Sequence, residues 1–218
     1  MKTQIKLTKQ IALKVLESIN GALRMGAGNG EGQDVCVMQA IARAVGLPAS
    51  DDHVEECVGT AVSAFNRRLN DCSWSSDTAR AEGMKALGVA SIGSNQLNQM
   101  EFGKLMFVRG TQRLLPFVFR EIAKIKSGDY KTKLEKHAEI CEKVTNFEEA
   151  KKACKDASAS AHAHAYAYAY ASASAFFKKS LGDDFLTRTA DMGLQCLIEL
   201  KSPGCEWLDL CEIGKEAQ

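Results

Sequence analysis

Apolar residues recur along most of the chain at the three- and four-residue spacing of an α-helix. The clearest case is the segment SDDHVEECVGTAVSAFNRRLND, where Val54, Val58, Val62 and Leu69 fall on one face. With Asp52 as its N-cap and Glu55 as the capping-box partner, this segment predicts one amphipathic helix. The pattern, interrupted by only three prolines, predicts an all-α protein built as a multi-helix bundle.

Six further segments have the same helical period. The predicted helices span about 8–20, 34–45, 77–89, 96–126, 130–144 and 184–200. Pro116 is expected to kink or break the fourth of them, because proline lacks an amide N–H and clashes with the preceding turn.

Residues 157–175 alternate alanine with polar and aromatic residues in the run ASASAHAHAYAYAYASASA. A period of two is typical of a strand, but alanine is the best helix former and is depleted in strands. Thr145 and Glu148 make a plausible capping box, and no helix breaker follows them. We therefore predict a long alanine-rich central or intersubunit helix, with an alternating β segment as the other possibility.

The organisation predicted from these segments has two regions. Residues 1–128 form an N-terminal helical region with a Cys36, Cys57, Asn70-Asp71 motif, and residues 129–218 form a C-terminal helical region with the alanine-rich helix. We expect the two regions to make one compact domain.

Charge is almost balanced, with 28 Lys and Arg against 27 Asp and Glu. Such a chain has no overall field to attract nucleic acid or an anionic membrane, and binding of either kind would need a local patch. The basic run KKACK, residues 151–155, is predicted to be a solvated helix end.

No segment has the apolar length of a membrane span. We expect a soluble, cytoplasmic protein with neither a nucleic acid nor a membrane as partner.

The segment GAGNGEGQDVCVMQA, residues 26–40, places alternating glycines before a predicted helix. A helix rather than a strand precedes it, and the spacing matches neither a dinucleotide fingerprint nor a Walker A loop. We interpret it as a connector between two helices. Free amides at the start of the second helix are the feature that could still hold an anion.

Cys36 is the candidate nucleophile, because a thiol at a helix N-terminus has a lowered pKa. His53 is the candidate base, and Asp52 is the candidate orienting carboxylate, with Asp51 and Asp71 as substitutes. The alternative is a buried structural cysteine, as expected for most of the eight cysteines of a chain with no export signal.

A structural zinc site would use Cys36, His53, Cys57 and Cys72, but no pair has C-x-x-C spacing. We expect no metal and no cofactor. The candidate ligand-binding residues are polar or aromatic side chains of the two regions. They are Arg43, Asn70, Asp71, His162, His164, Tyr166, Tyr168 and Tyr170.

Several short blocks carry a resemblance: CVMQA, VGLPASDD, CV at Cys57, LND at residues 69–71, LLPFVFREIA and the alanine tract. Together they resemble an uncharacterised family of phage- and actinobacterium-encoded proteins with a Cys-Val/Leu-Met-Glu-Ala block, a Gly-Glu-Pro-Trp-Ser-Asp block and an Asn-Asp pair. This chain lacks the tryptophan, has Gln39 in place of Glu and has an extra residue before Cys57. The resemblance implies a helical protein with Cys36, Asp52, Cys57, Asn70 and Asp71 in a shared motif, and it implies no activity.

The sequence therefore favours a non-enzymatic accessory protein of a phage or mobile element. It would bind a partner protein or a small ligand and form a homo-oligomer through its alanine-rich helix. The alternatives are a cysteine-dependent enzyme that uses Cys36 with His53 and a protein with a structural zinc site.

Overall fold

The computed structural model describes residues 5–29, 31, 34–48, 54–160 and 182–212, with only the backbone for 157–160. Within these ranges the protein is all-α, with nine α-helices and no strand, as the sequence predicts. The helices are α1 (Lys9–Ile19), α2 (Val37–Ala44), α3 (Thr60–Asn70), α4 (Asp77–Ala90), α5 (Gln99–Arg109), α6 (Leu115–Lys124), α7 (Gly128–Glu142), α8 (Phe147–Ser160) and α9 (Gly182–Glu199).

The chain divides into two compact units. The first comprises the described residues of Met1–Phe102 and Gly182–Gln218, and the second comprises those of Gly103–Leu181. The predicted division at residue 128 and the predicted single domain stay predictions.

Helix α4 is the centre of the first unit. It packs against α1, α2, α9 and the 3₁₀ segment Pro203–Cys211, and its side chains Met84 and Leu87 are fully buried. Gly88 allows two of these contacts to be close, because a Cβ there would lie 3.1 Å from Ile19 and 3.2 Å from Val37. The described part of the first unit therefore buries much of its core around α4.

The single helix predicted from Asp52 to Leu69 is wrong. The structure has a 3₁₀ turn at Val54–Glu56, and α3 begins only at Thr60, after an extended Gly59. Gly59 lies against the side chain of Gln99, which a Cβ would approach to 2.1 Å, and Ser94 Oγ accepts a hydrogen bond from its amide at 3.1 Å. The apolar spacing continues across the break because Val54, Val58 and Val62 are all buried.

The helix predicted through Pro116 widens rather than breaks. Residues Gly110–Leu114 form a π-helical turn, in which the amide of Leu115 donates to the carbonyl of Gly110, five residues earlier. The extra residue accommodates the missing N–H of Pro116, and α6 follows without a gap.

The second unit has its own apolar core, formed by the π-helical turn and α5 to α8. Its buried members are Val108, Phe119, Ala123, Leu134, Ala138, Cys141, Val144, Ala150 and Ala153. Asn146 Oδ1 caps α8 by accepting from the amide of Glu149 at 3.0 Å, and the Glu149 carboxylate accepts from the amide of Thr145 at 2.8 Å. Glu149 thus takes the capping role that the sequence assigned to Glu148.

Helix α8 continues to Ser160. The rest of the predicted alanine-rich helix, with His162, His164, Tyr166, Tyr168 and Tyr170, lies outside the described residues. In the described part of the chain, no helix has both the length and the apolar character needed to span a membrane.

The close approach at Gly204 gives a test of the packing around α4. A Cβ at Gly204 would lie 2.1 Å from the carbonyl oxygen of Val89, a backbone atom that cannot rotate away. We expect Gly204→Ala to lower the free energy of unfolding by about 1–3 kcal/mol in urea denaturation. Gly103→Ala is the control, because a Cβ there meets nothing within 4 Å. It should be neutral or stabilise α5 by about 0.5–1 kcal/mol; equal effects of the two substitutions would contradict the packing.

Candidate functional site

The glycine loop closes on the side chain of Gln39. Its Oε1 accepts hydrogen bonds from the amides of Gly28 and Cys36, both at 3.0 Å, and its Nε2 donates to the Gly28 carbonyl at 3.0 Å. A Cβ at Gly28 would lie 2.1 Å from the Asp34 carbonyl oxygen, so this approach requires glycine. The loop turns a corner and is held there by the helix that it precedes.

The first turn of α2 is capped by groups of the protein itself. Cys36 is the N-cap, and its Sγ accepts from the amide of Gln39 at 3.5 Å. Asn70 Oδ1, from the end of α3, accepts from the amide of Val37 at 3.3 Å. The amides of Cys36, Val37 and Gln39 therefore all have partners within the chain, which disfavours the anion site that the sequence allows at the start of this helix.

Asn70 and Asp71 lie together against the loop, as candidate site residues should, but they face backbone atoms. Asn70 Nδ2 donates to the carbonyl of Arg24 at 2.8 Å, and Asp71 Oδ1 accepts from the amide of Gly26 at 2.9 Å. Asn70 is fully buried. Its polar atoms join the loop, the start of α2 and the end of α3.

Sequence reasoning missed Arg80, which is 3% exposed. Its Nε donates to the Asn70 carbonyl at 2.8 Å, and its Nη1 donates to the Leu23 carbonyl at 2.6 Å and pairs with Asp77. In the sequence, Asp77 and Arg80 look like an ordinary i, i+3 pair on a helix surface. Arg80 is buried against Leu23, in the segment after α1, and Asn70, at the end of α3. These tertiary contacts cannot be predicted from helical spacing.

The predicted catalytic set stays a prediction, because Cys36 is the one of its three members that the structure describes. Cys36 is 3% exposed, while His53 and Asp52 lie outside the described residues. Arg43, the remaining candidate, is half-buried in the last turn of α2.

Cys57 and Cys72, two of the cysteines proposed for zinc, lie beside different parts of the backbone. Cys57 lies beside the backbone of Gly93, and Cys72 Sγ donates to the Arg68 carbonyl at 3.3 Å. Among the residues that the structure describes, no group of three or more His, Cys, Asp or Glu side chains could hold a metal ion.

Burial keeps several thiols protonated at neutral pH. It raises the pKa of Cys57, against a smaller opposite effect of the Gly93 backbone, and it also raises the pKa of Cys72. The pKa values of Cys141, Cys205 and Cys211 rise to about 11, again mainly through burial. At neutral pH these five thiols are therefore weaker nucleophiles than an unperturbed cysteine.

No protein-family model, curated protein or solved structure matches this chain. The resemblance to the phage and actinobacterial family stays a prediction. Three residues of its motif, Cys36, Asn70 and Asp71, lie around the glycine loop, where they make the hydrogen bonds described above.

Asn70→Ala tests the structural role of this cluster. The substitution leaves the Val37 amide and the Arg24 carbonyl without their partner, so the free energy of unfolding should fall by about 1–3 kcal/mol. Asn29 lies in the same loop and is exposed, and its side-chain oxygen accepts a local hydrogen bond from the amide of Glu31. Asn29→Ala should change stability by less than about 0.5 kcal/mol. A neutral Asn70→Ala would show that the cluster does not hold the unit together.

Native-state thiol labelling tests Cys36. Because it is buried and its sulfur caps α2, iodoacetamide should modify it more slowly than the half-buried Cys72 and Cys154, as followed by peptide mass spectrometry. Labelling of Cys36 ahead of both would support the cysteine-dependent enzyme instead. Denatured protein, in which all eight cysteines should react at similar rates, is the control.

Proposed function

We propose that this chain is a non-enzymatic accessory protein of a phage or mobile element. It acts in the cytoplasm, binds a partner protein or a small ligand, and self-associates. The phage or mobile-element setting rests on the family resemblance of the CVMQA and LND blocks.

The observation that carries the proposal is the structural use of Cys36, the candidate nucleophile. A nucleophilic cysteine needs access to substrate and a free neighbourhood in which a base can take its proton. Cys36 instead is buried and caps α2, and the adjacent amides bond to Gln39 and Asn70. Groups that hydrogen-bond to one another in this way are suited to stability rather than to turnover.

Exposed apolar side chains support the binding half of the proposal. Met100, Ile125 and Met25 are 70%, 62% and 60% exposed. In the second unit, Phe107 and Ile140 are also exposed. Large apolar side chains that are exposed to water contribute to protein interfaces where they lie together.

Self-association through the alanine-rich tract is tested by sedimentation velocity together with native mass spectrometry at micromolar concentration. We expect the purified chain to form an oligomer. Simultaneous Tyr→Ala substitutions at residues 166, 168 and 170 should shift it toward monomer, because aromatic anchors carry much of the energy of an interface. Tyr130→Ala is the matched control, since Tyr130 is exposed outside the tract and should leave the oligomer intact.

A strictly monomeric chain that carries no bound partner or ligand would contradict the proposed function. Native mass spectrometry of protein purified from its host also reports bound zinc, so the structural zinc alternative is tested in the same measurement.

A further inference from the structure

The described part of the second unit has an excess of positive charge. Residues 103–160 contain thirteen Lys and Arg against eight Asp and Glu, although the whole chain is nearly balanced. The expectation that nucleic acid is not a partner came from that overall balance, and it required any such binding to use a local patch. The second unit supplies one.

The patch is a pair of aromatic rings with two ammonium groups, and we name it the aromatic-basic patch. Phe107 of α5 and Phe147 at the start of α8 have ring centroids 5.4 Å apart, inclined at 60°. Lys104 Nζ lies 5.9 Å from the Phe147 centroid and Lys151 Nζ lies 5.6 Å from it. Both lysines are exposed, and the Phe107 ring is 39% exposed.

The patch differs from an ordinary solvated helix surface in two respects. Two helices that are distant in sequence bring like charges to a single ring, an arrangement that an anion would stabilise. Lys151 also contacts Glu148 at 3.4 Å, but this exposed pair contributes little and is easily exchanged. The neighbouring Phe107 ring is partly in water, where an aromatic side chain can still stack on a flat partner.

We propose that the aromatic-basic patch binds single-stranded nucleic acid. A base stacks on Phe107, and Lys104 and Lys151 contact phosphates, because stacking on an aromatic ring together with cationic side chains binds single strands without sequence preference. An acidic protein would be attracted by the lysines but would have no planar base for the ring. This partner is additional to the proposed function and does not depend on self-association.

The test measures fluorescence anisotropy of labelled 20-nucleotide oligothymidylate and oligouridylate against the full-length protein at several salt concentrations. The two probes separate DNA from RNA as the source of the strand. Phe107→Leu, which keeps an apolar side chain but removes the ring, should weaken binding about fivefold or more. Lys104→Gln and Lys151→Gln should each reduce the slope of log affinity against log salt by about 0.7.

Matched controls come from the same unit. Tyr130 is 40% exposed and lies in the first turn of α7. It is about 18 Å along the helix axis from Glu142, the last residue of α7 before the loop that leads to Phe147. Tyr130→Leu should leave the affinity unchanged, and Lys126→Gln should leave the salt slope unchanged. Thermal melts confirm that each variant is folded.

Three results would overturn the proposal. The first is no binding of either oligonucleotide at 50 mM salt. The second is binding that Phe107→Leu and the two lysine variants leave unchanged. The third is competition by polyglutamate that equals competition by unlabelled oligonucleotide, together with no effect of Phe107→Leu, which would assign the patch to an acidic protein.

Discussion

The arrangement of the first unit depends on the hydrogen bonds that the buried guanidinium of Arg80 makes. A buried charge is tolerated only where its hydrogen bonds are made inside the protein, and Arg80 makes them to Leu23, Asn70 and Asp77. It thereby joins the chain after α1 to the end of α3 and the start of α4. The side chain of Asn70 continues the same network to the amide of Val37 at the start of α2.

This network continues into the described part of the glycine loop, which is held by hydrogen bonds of its own. Glycine is needed at residue 28 because the Asp34 carbonyl approaches too closely for any side chain, and the amides around it bond to Gln39. Gly28 and Cys36 thus have structural roles: Gly28 permits the close approach of Asp34, and Cys36 caps α2. Groups available for recognition lie on the surface, where the second unit has an excess of positive charge and the exposed ring of Phe107 beside the partly buried ring of Phe147.

The helical class and most helices follow from apolar spacing alone, because a helix that buries one face must repeat at three and four residues. The break before Thr60 was missed because Val54, Val58 and Val62 keep that spacing across it, while its cause, Gln99, is distant in sequence. The motif residues Cys36, Asn70 and Asp71 were identified from the sequence, but their roles were not. Whether an Asn side chain meets a ligand or a backbone amide depends on tertiary contacts, and the burial of Arg80 depends on them equally.

The most direct measurement of the central claim, that the loop and the start of α2 are closed by internal hydrogen bonds, is amide hydrogen exchange resolved by NMR in the native protein. The account predicts that the amides of Gly28, Cys36 and Val37 exchange about a hundredfold or more slowly than in the unfolded chain. Exchange of all three at the rate of the unfolded chain would contradict it, since these amides would then be free to bind an anion or a substrate.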